Sequence, residues 1–182
     1  SISLIQEPSR SATLAAVEAA RAAGRLVSYD PNLRMPLWPS ADAAREGILS
    51  AWRSAQVIKI SDDELEFLTG SRELEAARTL LHDDLRLLTV TLGADGVAWF
   101  ADGRSGRTPG FRVQVADTTG AGDAFVAGLL AALQADPDLP TDPSALDVAL
   151  RRANAYAALT TTAPGAIPAL PTREALERFL AA

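Results

Sequence analysis

Residues 117–133 read DTTGAGDAFVAGLLAAL, a polar loop with two glycines that feeds an apolar run. The glycines let the backbone approach a ligand closely and permit positive φ. The run after them has the character of a buried helix, expected from about residue 120 to 135. The amides of Gly120, Ala121, Gly122 and Asp123 would then stand at a helix N-terminus, where unpaired N–H groups and the helix dipole favour an anion. Asp123 falls in that first turn. A bare G-x-G-D reads more simply as a tight turn with an N-cap aspartate, but the full seven-residue context favours an anion site.

Upstream of this loop the chain alternates between strand and helix patterns. A helix is expected over 9–23, capped by Ser9 or Ser11 and ended by Gly24. A strand follows over 26–29, stopped by Asp30-Pro31-Asn32, then a helix over 40–53 and a strand over 56–60. Helices over 61–68 and 73–81 lead to a third strand over 85–92, closed by Gly93-Ala94-Asp95-Gly96. Strands over 97–101 and 111–115, with Asp102-Gly103 as the turn, read as an antiparallel hairpin. Helices over 120–135, 143–161 and 172–180 close the chain. The opening SISLI, with Ser1, reads as the end of an internal strand. The fold class is therefore α/β, a mostly parallel sheet flanked by helices, with an antiparallel hairpin toward the C-terminal half. Open parallel sheets bind ligands beyond the C-terminal ends of their strands. Here those ends carry the Asp30 to Arg34, Ser61 to Glu64 and Thr91 to Gly93 loops, so one site fed by several loops is expected.

Composition narrows the chemistry. The 182 residues carry a formal net charge of −6 and no basic block, which argues against nucleic acid as a partner. An acidic chain can still bind a nucleotide through backbone amides and a few cations. The absence of cysteine removes disulfides, thiolate catalysis and cysteine-bound metal. The single histidine, His82, lies in a polar stretch, which disfavours a Ser-His-Asp hydrolase or a zinc enzyme. No apolar run approaches the roughly 18 to 20 residues needed to span a bilayer, and the N-terminus has no secretory pattern. A cytoplasmic location and no membrane partner are the expectation. Trp38, Trp52, Trp99 and Phe125 read as core or rim packing.

The loop DTTGAGD resembles the C-terminal signature of ribokinase-like (pfkB) sugar kinases. The resemblance implies that Asp123 is the base taking the proton from the sugar hydroxyl. It makes Gly120, Ala121 and Gly122 the anion hole for the transferred phosphoryl group. Asp117 and Thr119, with the region around Gly165, match positions that help bind a monovalent cation such as K⁺. Lys59-Ile60-Ser61-Asp62-Asp63-Glu64 is similar to the family's N-x-x-E segment, with serine where asparagine is usual, and implies that Glu64 organises Mg²⁺ and phosphates. The same S-x-x-E also reads as a capping box, and both readings can hold. VTLGADG resembles the nucleotide-binding turn, which places Thr91, Gly93 and Gly96 along ATP; a plain turn remains the alternative. Lys59, Val115 and Asn154 join the implied nucleotide contacts. Asp30, Asn32 and Arg34 of DPNLR match a segment typical of fructokinases and would face the sugar. Without the resemblance, that stretch is a turn with a surface arginine.

The similarity runs from EPSRSATLAAVEAARAAG to GAIPALPT, and its details are most similar to fructokinases of plant and bacterial type. It implies ATP-dependent transfer of the γ-phosphoryl group to a fructose hydroxyl. It also implies that residues 1–182 are the C-terminal nucleotide-binding and catalytic part of a single ribokinase-like domain, with the N-terminal part and lid missing. Such a piece alone is expected to be weak or inactive, and its cut sheet edges invite homo-oligomer formation. A 2-keto-3-deoxygluconate kinase and a non-catalytic nucleotide-binding remnant are the alternative readings.

Overall fold

The computed structural model describes residues 2–181. Two compact units divide the chain, Ser1–Val90 and Thr91–Ala182.

The first unit opens with a 3-10 turn at Ile2–Leu4. This corrects the strand expected for SISLI: the Ile5 amide turns back to the Ile2 carbonyl at 3.2 Å. Ser1 lies outside the described residues. Helix α1, Ser9–Ala22, stops at Gly24, whose φ of 65° allows the amides of Gly24 and Arg25 to turn back onto the last carbonyls. Strand β1 is only Ser28–Tyr29, shorter than expected. Just before it, the Val27 amide donates to the Gln56 side chain at 2.8 Å, and side-chain pairing takes over from the ladder. Helix α2, Ala41–Ser50, is capped by Ser40 and gives way to a 3-10 turn at Trp52–Ser54. Trp38 lies across α2 at Gly47, where an added Cβ would sit 2.3 Å from the indole.

Strand β2, Val57–Ser61, runs parallel to β1, with Ser28 opposite Val57 and Tyr29 opposite Ile58. Helix α3, Asp62–Thr69, follows at once and ends at Gly70. The next stretch, Leu74–Leu80, is a 3-10 helix rather than the expected α-helix. Only Ala77 is buried there, and the Glu75–Arg78 ion pair matches the eclipsed i,i+3 spacing of a 3-10 helix. Strand β3, Leu87–Thr91, neighbours β2; the amides of Arg86 and Leu87 both donate to the Gln56 carbonyl, so the two strands start at the same end. Ile58, Ile60, Leu87, Leu88 and Val90 are fully buried, as expected for strands covered on both faces.

In the second unit, strands β4, Val97–Ala101, and β5, Arg104–Thr108, form an antiparallel hairpin with Ala101 opposite Arg104. The turn at Asp102-Gly103 is where expected, with φ of 49° and 70°. The second strand is not: β5 is RSGRT, and FRVQV at 111–115 is irregular. A two-residue turn obliges pairing to resume at the next residue, so polar RSGRT takes the ladder despite its pattern. Gly106 leaves room for the Trp99 indole lying over it. Helices α4, Ala121–Ala135, and α5, Pro143–Thr160, approach closely where Gly128 meets Ala153. Asp142 caps α5 by accepting from the amides of Ser144 and Ala145. Helix α6, Arg173–Ala181, follows.

Candidate active site

The 117–123 loop is built around one carboxylate. Asp117 Oδ1 accepts from the Thr119 amide at 2.9 Å and its hydroxyl at 2.7 Å, while Oδ2 accepts from the Gly165 amide at 2.9 Å. These bonds, led by the Thr119 and Gly165 amides, hold the Asp117 carboxyl below the usual aspartate range. The amides of Ala116 and Asp117 donate to the Thr161 carbonyl, and Gly120 packs against Ala166. Thus Asp117, Thr119 and Gly165, expected from the resemblance to lie together, do so.

Gly120 is the N-cap of α4, with φ of 81° and no side-chain cap. Asp123 is therefore not the N-cap: it stands in the first turn, exposed, and its carboxylate has no hydrogen bond or ion pair among the described residues. Ala121 N–H is spent on the Thr118 carbonyl at 3.2 Å, whereas the amides of Gly122 and Asp123 have no partner among the described residues. Free amides at the start of a 15-residue helix suit an anion, and the unpaired carboxylate beside them suits a neighbouring group that gives up a proton.

Ala121 and Gly122 open onto a cavity of about 380 Å³, a size that fits a small-molecule ligand. Thr91, Gly93, Gly96, Val115 and Asn154, all expected nucleotide contacts, line the same cavity. Gly93 and Gly96 carry φ of 57° and 97°, and the turn between them is a 3-10 turn closed by the Leu92 amide on the Gly96 carbonyl at 2.8 Å. Asn154 is buried, and its Nδ2 donates to the carbonyls of Thr108 and Pro109 at 3.4 and 3.1 Å. Its amide orientation is thereby set, leaving Oδ1 as the group that can accept.

Other lining residues were not singled out from sequence. Phe111, Arg112 and Val113 come from the segment read as a strand, and Gly110 directly precedes it. Ala157, Ala158 and Thr161 follow Asn154 at i+3, i+4 and i+7, a spacing that marks one face of α5 and was there to be read. Phe125 is 1% exposed and serves both core and cavity.

The remaining expected residues lie in the first unit. Asp30 is one position beyond Tyr29, so the parallel register sets it beside Lys59, and Lys59 Nζ faces its carboxylate at 3.3 Å. Burial raises the Asp30 carboxyl; Lys59 pulls it back, and the Glu64 charge adds to the rise. Burial likewise pushes the Tyr29 hydroxyl well up. Glu64, 6% exposed, completes the capping box of α3: Oε2 accepts from the Ser61 amide at 2.8 Å and Ser61 Oγ accepts from the Glu64 amide. Its other oxygen accepts from the Leu33 amide at 2.7 Å, tying the 30–34 loop to α3. In that loop Asn32 adopts φ of 48° with its amide on Asp30, and Arg34 donates to the Leu33 carbonyl. Among the described residues no group of three His, Asp or Glu side chains could hold a metal by itself. No helix among the described residues is long and apolar enough to cross a membrane.

The family described as pfkB family carbohydrate kinase matches residues 1–173. Fructokinase-6, chloroplastic, of Arabidopsis thaliana, a name carried with the qualifier "probable", is 53% identical over 183 residues. That alignment covers 99% of this chain and 48% of the relative, so the chain spans about half the length of the curated relatives it matches. Fructokinase from Vibrio cholerae O395, solved in fructose-, ADP- and calcium-bound form, superposes with a TM-score of 0.89 at 39% identity, over 98% of this chain and 58% of that one. A double mutant of that enzyme, solved with fructose, ADP and potassium, gives a TM-score of 0.88 at 38% identity, with the same coverage. Aminoimidazole riboside kinase from Salmonella enterica, complexed with aminoimidazole riboside and an ATP analogue, gives a TM-score of 0.86 at 36% identity, over 99% of this chain and 60% of that one. A helix start with free amides, a cavity beside it and a family match over almost every residue agree, and the chain belongs to the pfkB family of carbohydrate kinases.

Proposed function

We propose that the protein carrying this chain is an ATP-dependent fructokinase. The observation that carries this reading is the start of α4, where the free amides of Gly122 and Asp123 adjoin a cavity lined by Gly93, Gly96 and Asn154. In the proposed reaction a fructose hydroxyl oxygen bonds to the γ-phosphorus, the bond from that phosphorus to the β-bridging oxygen breaks, and ADP leaves. Asp123 takes the hydroxyl proton, and the backbone that opens α4 stabilises charge on the transferring group; of the expected Gly120, Ala121 and Gly122 set, Ala121 N–H is already engaged by Thr118, so the free amides of Gly122 and Asp123 carry that role. Thr91, Gly93, Gly96, Val115 and Asn154 hold the nucleotide, with Lys59 as the cation assigned to it. Asp30, Asn32 and Arg34 are assigned to the sugar. Glu64 is assigned to organising Mg²⁺ through water, and that ion would neutralise phosphate charge. Asp117, Thr119 and Gly165 are assigned to a monovalent cation; potassium-bound and calcium-bound forms of the Vibrio cholerae relative support a cation requirement.

The test is fructose-dependent ADP release by the complete gene product. Asp123→Asn is expected to lower kcat by about 100- to 10,000-fold while ADP still binds, the range for removing a positioned base. Turnover undiminished by that change would sink the base assignment. Faster turnover with 2-keto-3-deoxygluconate or aminoimidazole riboside than with fructose would move the substrate. ADP binding without any sugar-dependent turnover would make the protein a nucleotide-binding relative of the enzymes.

A further inference from the structure

The cavity of the second unit has one wall without regular structure. Residues 109–117 join β5 to the anion loop, and Phe111, Arg112, Val113 and Val115 from this segment line the cavity. Its ends are tied down. Gly110 sits against the backbone of Ala94 and Gly96, and the amides of Ala116 and Asp117 donate to Thr161. Between those ends, among the described residues, no backbone hydrogen bond is made by Phe111 to Val115. Two side chains of the segment, Arg112 and Phe111, make contacts that hold it. Arg112 pairs with Asp95 at 3.1 Å, but both are well exposed, so solvent screens the pair. Phe111 is held on two sides: the Arg151 guanidinium of α5 lies 5.0 Å from its ring centre, and the Phe179 ring of α6 lies 5.0 Å away at a tilt of 53°. Aromatic pairs at this distance contribute beyond the area they bury. Helix α6 supplies none of the residues that line the cavity.

We infer that Phe179 is a positioning residue for the nucleotide cavity: α6 grips Phe111, fixes the 111–115 wall, and so sets nucleotide affinity without touching the ligand. This rests on reading that cavity as the nucleotide site. A second α5–α6 contact provides the control. Arg152 pairs with Glu177 at 2.6 Å between the same two helices without involving Phe111.

The experiment is run on the complete gene product and compares the unsubstituted chain with Phe179→Ala, Phe179→Leu and Glu177→Gln. ADP affinity is measured by calorimetry, and amide exchange of residues 111–116 is measured on the ligand-free chain. Phe179→Ala is expected to weaken ADP binding by about fivefold, a factor in keeping with one aromatic pair, and to speed exchange across 111–116. Phe179→Leu restores most of both. Glu177→Gln leaves affinity and 111–116 exchange at the unsubstituted level, even where it lowers the melting temperature. Unchanged 111–116 exchange in Phe179→Ala overturns the inference, as does an equal change in Glu177→Gln. If the unsubstituted chain does not bind ADP, the nucleotide reading of the cavity fails, and the exchange measurement alone decides whether Phe179 holds the wall.

Discussion

Glu64 receives two backbone amides 28 positions apart, from Leu33 and Ser61, and is almost fully buried. Removing it leaves both donors without their acceptor, and an unsatisfied buried donor costs about 1–3 kcal/mol. Glu64→Ala is therefore expected to destabilise the chain by about 2–4 kcal/mol, read as a lower urea midpoint. Glu64→Gln should fall between, because its amide nitrogen cannot accept. A loss below about 0.5 kcal/mol for the alanine variant, the size of an ordinary surface change, would show that the clasp is not structural. The S-x-x-E half of this arrangement was legible, since a capping box is written within four residues. The Leu33 half was not, because it joins a loop residue to a helix residue 31 positions away. The same limit applies to Asp30 and Lys59, which sequence reading assigned to sugar and nucleotide, whereas the β1–β2 register sets them against each other. Asp117, Thr119 and Gly165 converge as expected, but motif matching alone did not reveal that the Asp117 carboxylate is already engaged by protein donors.

At the level of elements, sequence pattern succeeded where an element's own residues decide it. The strand at Val57–Ser61, the box-capped helix Asp62–Thr69 and the Pro143-initiated helix all fall within a residue or so of expectation. It failed where a neighbour decides. FRVQV alternates like a strand, but the Asp102-Gly103 turn commits the pairing to Arg104–Thr108. That leaves 111–115 to form the cavity wall, which is why the lining residues Phe111, Arg112 and Val113 went unmarked. The turn that faces this wall makes a sharp comparison of glycines. Gly24 and Gly96 both have positive φ, yet a Cβ on Gly24 meets nothing within 4 Å, whereas on Gly96 it would sit 2.1 Å from the Thr108 carbonyl oxygen. Gly24→Ala should cost about 1–2 kcal/mol, the left-handed penalty alone. Gly96→Ala should cost at least about 3 kcal/mol, since a positive φ of 97° with ψ of −130°, outside the left-handed helical region, is joined by a backbone clash. Chemical denaturation of the two variants measures both, and equal costs would show that the crossing at Gly96 relaxes freely.

Across the whole molecule, the balance of 17 basic and 23 acidic residues makes the chain a net anion, which on the proposed reading has to bind another anion. Two electrostatic designs answer that problem, and they respond to salt in opposite ways. A cluster of cations around the phosphates would lose affinity steeply as ions screen it. Here the cavity lining includes a single charged side chain, Arg112, already paired with Asp95. Lys59, the other cation assigned to the nucleotide, already faces Asp30. The groups left for phosphate are backbone amides at the start of α4, short-range dipoles whose field dies within about a helical turn. Long-range charge then acts only as a mild repulsion, and salt weakens that repulsion. ADP affinity is therefore expected to change by less than about threefold between 20 and 200 mM choline chloride at constant potassium, without a steep fall, because the Debye length shortens over that range from about 20 Å to less than 10 Å. Calorimetric titration at the two ionic strengths measures it. A tenfold loss at the higher salt would mean that cations, rather than the amides of Gly122 and Asp123, carry the nucleotide's charge.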